Sequence, residues 1–84
     1  ALVGMGHYYM TMNQYPEAIE TLESAVEQNP KLREALFALG HAYAKNGQIE
    51  RAKEMLNAFL DTNPPDDRAQ PARDLLEELK KLEE

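Results

Sequence analysis

The sequence predicts an all-α protein, and three observations support that prediction. Apolar residues recur at positions i, i+3, i+4 and i+7 along most of the chain, which is the spacing of one face of an α-helix. Asn-Pro pairs at 29–30 and 63–64 interrupt these stretches, because the residue before a proline is kept out of the helical backbone region. Residues 1–30 also resemble residues 35–64: eleven of the 30 aligned pairs are identical, whereas unrelated sequences would share about two.

The first repeated stretch predicts two helices joined by a tight turn. Asn13 can adopt the left-handed conformation that turns the chain, and Pro16 fits the first turn of a second helix that extends to about Gln28. Leu2 is already in helical phase with no capping side chain before it, so we expect this stretch to be clipped at its N-terminal end. The predicted core stripes are Leu2, Met5, Gly6 and Tyr9 in a helix over 1–12, then Ala18, Leu22, Ala25 and Val26.

The second repeated stretch predicts a helix over 32–45, a turn at 46–47 and a helix over 49–62. Gly6 and Gly40 lie inside helices, where a glycine costs about 1 kcal/mol relative to alanine. Each glycine is therefore expected to let the alanine-containing turn of the paired helix pack against its backbone. The predicted core stripes of this stretch are Leu36, Leu39, Gly40 and Tyr43, then Ala52, Leu56, Phe59 and Leu60.

Residues 65–84 predict one further helix that does not repeat the pattern, since it has no Leu-Gly step and no Tyr at the expected spacing. Asp66 and Asp67 are expected to supply capping oxygens and negative charge at its positive end. Pro71 is compatible with that start if it lies near the first turn, or it marks a later start at 70–71. The predicted apolar stripe is Ala72, Leu75, Leu76, Leu79 and Leu82.

The sequence resembles the tetratricopeptide repeat, a helix-turn-helix unit of 34 residues, in the order Leu36, Leu39, Gly40, Tyr43, Ala52, Phe59 and Pro64. It departs from the family pattern at Leu2 and Leu36, where Trp is usual, and at Met5, where Leu is usual. The resemblance implies an all-α superhelix of two antiparallel helix pairs with a fifth, solvating helix. The implied limits are 1–30 for the clipped first repeat, 31–64 for the second repeat and 65–84 for the capping helix.

In that family the first helix of each repeat lines a concave groove that binds partner peptides, so the resemblance implies a non-enzymatic protein-interaction module. The corresponding face recurs at i, i+4, i+7 and i+8 on the two first helices. Apolar anchors such as Met10 and Phe37 would carry the affinity, and polar groups would set the register of a peptide. The predicted groove consists of Val3, His7, Met10, Thr11, Phe37, His41, Ala44 and Lys45.

A competing interpretation assigns part of this face to the core. Val3, Met10 and Phe37 could be covered by other helices, and for Val3 and Met10 the two interpretations are balanced. One subset of the family binds acidic chaperone tails through a Lys and an Asn on this face. Val3 and His7 occupy those two places here, so an acidic C-terminal tail is not expected as the ligand.

His7 and His41 occupy equivalent positions, which raises the question of a metal site. Zinc requires three or four ligands, and no Cys or suitably placed carboxylate completes the set, so we predict no metal and no cofactor. A pH-sensitive groove contact fits better, since histidine titrates near neutrality. Catalysis has no support, because the single serine, Ser24, has no nearby His in sequence and no glycine loop is present to hold a phosphate.

Composition limits the partners. Fifteen acidic and nine basic residues give a net charge of −6, which disfavours nucleic acid and anionic membranes. No apolar run approaches the roughly 20 residues that span a bilayer. Cysteine is absent, which rules out disulfides and thiolate chemistry but does not identify a compartment, so cytoplasm is only the default location. The acidic outer face of the second helix is expected to be solvated, with a docking patch for a basic partner as the alternative; it contains Glu17, Glu20, Glu23 and Glu27.

The alternative function is structural: a terminal piece of a longer solenoid, or a module that associates weakly with itself through its N-terminal face and has no ligand of its own. Tyr8 motivates this hypothesis, because its equivalent in the second stretch is the small Ala42. A bulky aromatic at that position could stack on another repeat or on a second copy of the chain.

Overall fold

A computed structural model describes residues 2–83 and shows five α-helices, which confirms the predicted all-α fold. Consecutive helices pack against each other, with α1 against α2, α2 against α3, α3 against α4, and α4 against α5. No helix within residues 2–83 is long and apolar enough to cross a bilayer. The helices are α1 (Leu2–Thr11), α2 (Tyr15–Gln28), α3 (Arg33–Lys45), α4 (Ile49–Asp61) and α5 (Asp66–Leu82).

The two helix pairs turn in the same way. Asn13 and Gly47 have positive φ values of 59° and 82°, so Asn13 provides in the first turn the left-handed conformation that Gly47 provides in the second, as predicted. The next residue in each turn donates its backbone N–H to the carbonyl of Tyr9 or Tyr43, at 2.9 Å in both cases. The sequence repeat is thus a structural repeat at the level of the backbone.

The glycines allow close approach of the paired helices. A Cβ atom built on Gly6 would lie 2.5 Å from Cδ2 of Leu22, and one built on Gly40 would lie 3.0 Å from Cγ of Leu56. In the second pair the carbonyl oxygen of Ala52, which belongs to the expected alanine turn, would also lie 3.4 Å from the added Cβ atom. The space left by each glycine is therefore filled mainly by a leucine, one turn beyond the predicted alanine.

The core lies around α3. All four predicted core residues of this helix are buried, and so are Ala35, Ala38 and Ala42 between them. Helix α3 packs against α1, α2 and α4, so it is covered on most sides. Ile19 of α2 is buried as well, although the predicted stripe omitted it, whereas the predicted core residue Val26 is only half-buried.

Helix α1 is much less covered than α3. Gly6 is its only buried residue, and the predicted core residue Met5 is half exposed, so that prediction is wrong. The main neighbours of α1 in the described chain are α2 and α3, and no helix occupies the position that α2 occupies beside α3. Leu2 and Tyr9 are partly buried.

Helix α5 begins at Asp66, the earlier of the two predicted starts, and Pro71 lies in its second turn. Its N-cap residue is Pro65 and no side chain caps the helix, so the prediction that Asp66 and Asp67 supply capping oxygens is wrong. The Pro65 carbonyl instead accepts a hydrogen bond from the backbone N–H of Arg68 at 2.9 Å. The two aspartates still place negative charge in the first turn, where the helix dipole favours it.

Helix α5 covers α4 with Ala69, Ala72, Leu76 and Leu79, all of which are buried. Leu82 is 71% exposed, so its predicted place in the core is wrong. Leu82 is the last residue of α5, and its side chain is exposed there although Leu79 in the preceding turn is buried. Lys53 of α4 donates a hydrogen bond to the carboxylate of Glu83, the residue that follows α5.

Candidate functional site on the face of the first helices

The first helices of the two pairs border an open cleft of about 350 Å³. We call it the α1–α3 cleft. Equivalent positions of α1 and α3 face it, because both helices have the same place in their pairs. Its lining residues are His7, Met10, Thr11, Asn13, Tyr15, Phe37, Ala38, His41 and Lys45.

Six of the eight residues predicted for the groove line this cleft, namely His7, Met10, Thr11, Phe37, His41 and Lys45. Val3 does not, since it lies one turn earlier on α1 and borders a different cleft, of about 330 Å³, together with Leu32 and Glu34. Ala44 is half-buried and packs against the hydrophobic core. Six of the predicted groove residues therefore line one cleft, whereas Val3 and Ala44 lie outside it.

A second cleft, of about 360 Å³, adjoins the first and shares His7 and Phe37 with it. We call it the α3–α5 cleft. The sequence prediction missed its other lining residues. Arg33 and Glu34 precede Phe37 by four and three positions, so helical spacing could have revealed them. The remaining ones are Phe59, Asp67, Arg68 and Pro71, which belong to α4 and α5.

Phe37 forms the boundary between the two clefts. Its ring lies 5.4 Å from that of Phe59 in an edge-to-face arrangement, and 6.5 Å from the His41 ring. Phe59 is buried, whereas Phe37 and Met10 are half-buried. Phe37 and Met10 each pack against the core and also line the cleft. The core interpretation and the groove interpretation are therefore each partly right for both residues.

The α1–α3 cleft is lined by basic and neutral side chains. Within residues 2–83, no Asp or Glu lines it, while His7, His41 and Lys45 do. Burial lowers the pKa of His41 below its ordinary value of 6.5, and the charges of Lys45 and His7 lower it further. The uncharged form of His41 is therefore favoured in this cleft.

The α3–α5 cleft has a mixed charge, with Arg33 and Arg68 beside Glu34 and Asp67. Arg33 is held in place by the end of α4. Its Nε donates a hydrogen bond to Oγ1 of Thr62 at 2.9 Å, and its Nη2 donates to the Thr62 carbonyl at 2.7 Å. The guanidinium thereby satisfies carbonyl groups at the negative end of a helix.

The side chains that line these clefts are apolar, basic and acidic. Among residues 2–83, no group of three or more His, Cys, Asp or Glu side chains is arranged to hold a metal ion. Ser24 lies on α2, and its hydroxyl donates a hydrogen bond to the Glu20 carbonyl at 3.3 Å. The clefts offer an apolar platform, imidazole and ammonium donors, and two guanidinium groups.

Two stacked helical hairpins with a closing helix define a helical-repeat protein. The sequence profile of the tetratricopeptide repeat family matches residues 9–81 of the chain. The match covers most of the sequence, so this chain belongs to the tetratricopeptide repeat family, and the predicted resemblance is confirmed. Repeats of this family are protein-interaction modules. A search of curated proteins found no match.

Proposed function

We propose that the chain is a non-enzymatic module that binds a peptide or a helix of a partner protein along the concave face of α1 and α3. In this proposal residues 1–30 and 31–64 are the two repeats, and residues 65–84 form the capping helix. The observation that supports it best is the α1–α3 cleft, which is lined by six of the eight residues that the family resemblance assigned to a groove.

The dimensions and composition of the cleft suit such a ligand. Binding clefts for small ligands and side chains usually measure about 300–1,000 Å³ and combine an apolar floor with a few polar groups. Phe37 and Met10 supply the apolar part, and each is held at its base by the core. A side chain inserted between them would displace water from apolar surface without requiring the helices to move.

An NMR titration of amide signals with a panel of synthetic peptides tests this function. We expect the largest shifts at the predicted residues that line the cleft, namely His7, Met10, Thr11, Phe37, His41 and Lys45. Shifts confined to α2, α4 or the outer side of α5 would contradict the groove assignment. The panel should include both extended and helix-forming peptides, because the proposal allows either form.

The exposed side of α1 favours a second candidate function. Met5 and Tyr8 of α1 and Met12 in the turn after it are each half exposed or more, which is unusual for three large apolar residues so close together. They could form a contact with another helical layer or with a second copy of the chain. Light scattering over a concentration series tests the second copy: association that Tyr8→Ala reduces supports it, and a folded chain that stays monomeric contradicts it.

A further inference from the structure

We propose that the chain forms a two-fold symmetric dimer through the exposed side of α1, in which Tyr8 of each copy packs over the Gly4 backbone of the other. This inference rests on the second candidate function, and it adds the partner and the geometry of the contact. The α1–α3 cleft is lined by other residues of α1, so the groove function does not depend on this dimer.

The exposed side of α1 carries an aromatic ring that is already ordered. Met5, Tyr8 and Met12 are each at least half exposed. The Tyr8 ring lies 5.7 Å from the Tyr9 ring in an edge-to-face arrangement, so its position is partly fixed before a partner binds. Little side-chain freedom is then lost on association, which favours Tyr8 as the central contact.

The distribution of charge favours a second copy as the partner on this side. Among the five helices within residues 2–83, only α1 contains no Asp, Glu, Lys or Arg, and the first such residue of the chain is Glu17. The chain as a whole has a net charge of −6, so two copies repel each other in most orientations. Contact through α1 brings two uncharged helices together and covers apolar surface on both.

The other end of the molecule opposes an open chain of copies. In a head-to-tail arrangement α1 would pack on the last helix of the next copy, as α3 packs on α2. That helix is α5, whose apolar side is buried against α4 and whose free side exposes Arg73, Asp74 and Glu77. The exposed side of α1 is therefore matched by its own copy, and such a contact closes as a two-fold dimer.

Gly4 and Tyr8 give this surface a shape that fits a second copy. They lie one helical turn apart, so both belong to the same ridge of the helix. A Cβ atom built on Gly4 would meet nothing within 4 Å, so the backbone there forms an open notch beside the Tyr8 ring. When two α1 helices cross in antiparallel directions about a two-fold axis between these positions, each ring enters the notch of the other copy.

This dimer should be weak and should depend on salt in a defined direction. Helix α1 is only about 15 Å long, and one pair of short helices covers less than the about 1,200–2,000 Å² of a stable interface. We expect a dissociation constant of about 0.1 mM. Association should strengthen as ionic strength rises, because salt screens the repulsion between two acidic copies.

Analytical ultracentrifugation of the chain between about 10 μM and 1 mM tests the dimer. We expect a monomer–dimer equilibrium without larger species. A chain that stays monomeric at the highest concentration would overturn the dimer and the second candidate function together. The peptide titration of the α1–α3 cleft would still decide the groove function separately.

Gly4→Leu separates the proposed geometry from unspecific hydrophobic association. It adds apolar surface, so unspecific association would strengthen, whereas a filled notch should weaken the dimer at least about tenfold. Tyr8→Ala should weaken the dimer by a similar factor. Leu82→Ala is the matched control, because Leu82 is also exposed but lies on α5, and it should leave the dissociation constant unchanged.

An isotope-filtered nuclear Overhauser experiment on mixed labelled and unlabelled copies gives the geometry directly. We expect contacts between the α-protons of Gly4 in one copy and the Tyr8 ring of the other. Dimers that lack these contacts, or that Gly4→Leu and Tyr8→Ala leave at full strength, would overturn the proposed interface. Self-association as a function would then stand, with a different contact surface.

Discussion

Helices α1 and α3 have equivalent places in the repeat but very different surroundings. Leu39 of α3 is 2% exposed, whereas its equivalent Met5 in α1 is 50% exposed; Ala42 is fully buried, whereas its equivalent Tyr8 is 60% exposed. Both helices have the same turn geometry and a glycine that touches the paired helix. The difference comes from α2, which packs on α3, whereas no helix within residues 2–83 packs on the same side of α1.

Helices α1 and α3 also differ in the hydrogen bonding of an equivalent tyrosine. The hydroxyl of Tyr43 donates a hydrogen bond to the Glu23 carboxylate of α2, and burial together with this bond raises the pKa of Tyr43. In the part of the chain that the structure describes, no side chain accepts a hydrogen bond from its equivalent, Tyr9. Both repeats have a tyrosine at this position. Among the described residues, only Tyr43, which has α2 beside it, has a side-chain hydrogen-bond partner.

The largest effect expected from this comparison is on core packing. Leu39→Ala should lower the free energy of unfolding by about 2–5 kcal/mol, because it leaves a cavity among buried side chains. Met5→Ala should change it by less than about 0.5 kcal/mol, since Met5 is half exposed. Urea denaturation followed by circular dichroism measures both. Equal losses would mean that α1 is covered in solution, for example by a second copy.

Two glycines of α1 give a sharper contrast within one helix. Gly6→Ala should destabilise the fold by about 1–3 kcal/mol, because its new Cβ atom would lie 2.5 Å from Leu22, which is fully buried. Gly4→Ala should stabilise the fold by up to about 1 kcal/mol, since a Cβ there meets nothing within 4 Å. Thermal unfolding of both variants decides the matter. If both substitutions stabilise the protein, α1 is free to move away from α2.

The polar contrast predicts a smaller effect. Tyr43→Phe should cost about 0.5–1.5 kcal/mol through loss of the hydrogen bond to Glu23. Tyr9→Phe should change stability by less than about 0.5 kcal/mol. The difference between the two variants, measured by urea denaturation, isolates the contribution of the preceding helix. A loss of the same size at both positions would show that this contribution is absent.

The smallest effect concerns pH and arises from His41 at the face between α1 and α3. Its pKa is lowered in the folded state, so the unfolded chain takes up the proton first as the pH falls. The stability of the wild-type protein should therefore decline as the pH decreases from 7 through 6.5 and toward the lower folded-state pKa of His41. The other charged or titratable groups facing His41 are Lys45 and His7, and Tyr15 also lines the cleft. The variant His41→Gln should show a flatter profile between pH 7 and 5.5, and an unchanged slope would contradict this origin.

The first four helices were predicted well from the sequence, because the same helical pattern occurs in both repeats. The stripe of Leu36, Leu39, Gly40 and Tyr43 is buried as predicted, since helical spacing determines which residues share a face. Spacing does not determine what covers a face, and for this reason the predictions failed at Met5 and at Leu82. Helix α5 lies outside the repeat, so its start and its lack of a side-chain cap depended on tertiary packing.

The candidate site was predictable to the same extent. His7 and His41 occupy equivalent positions on two helices whose shared face the family resemblance assigned to a groove, and together with Phe37 they line one cleft. The contributions of Arg68 and Pro71 depend on how α5 packs on α4, which no local pattern specifies. The separation of Val3 from the others depends on where the α1–α3 cleft ends.

The contrast between the two apolar surfaces leads to one direct test of where a partner binds. The account predicts that intermolecular nuclear Overhauser contacts from an apolar side chain of a bound peptide reach the ring of Phe37 and the methyl group of Met10. Contacts to Tyr8 and Met5, with none to Phe37, would contradict it and would identify the exposed side of α1 as the binding surface.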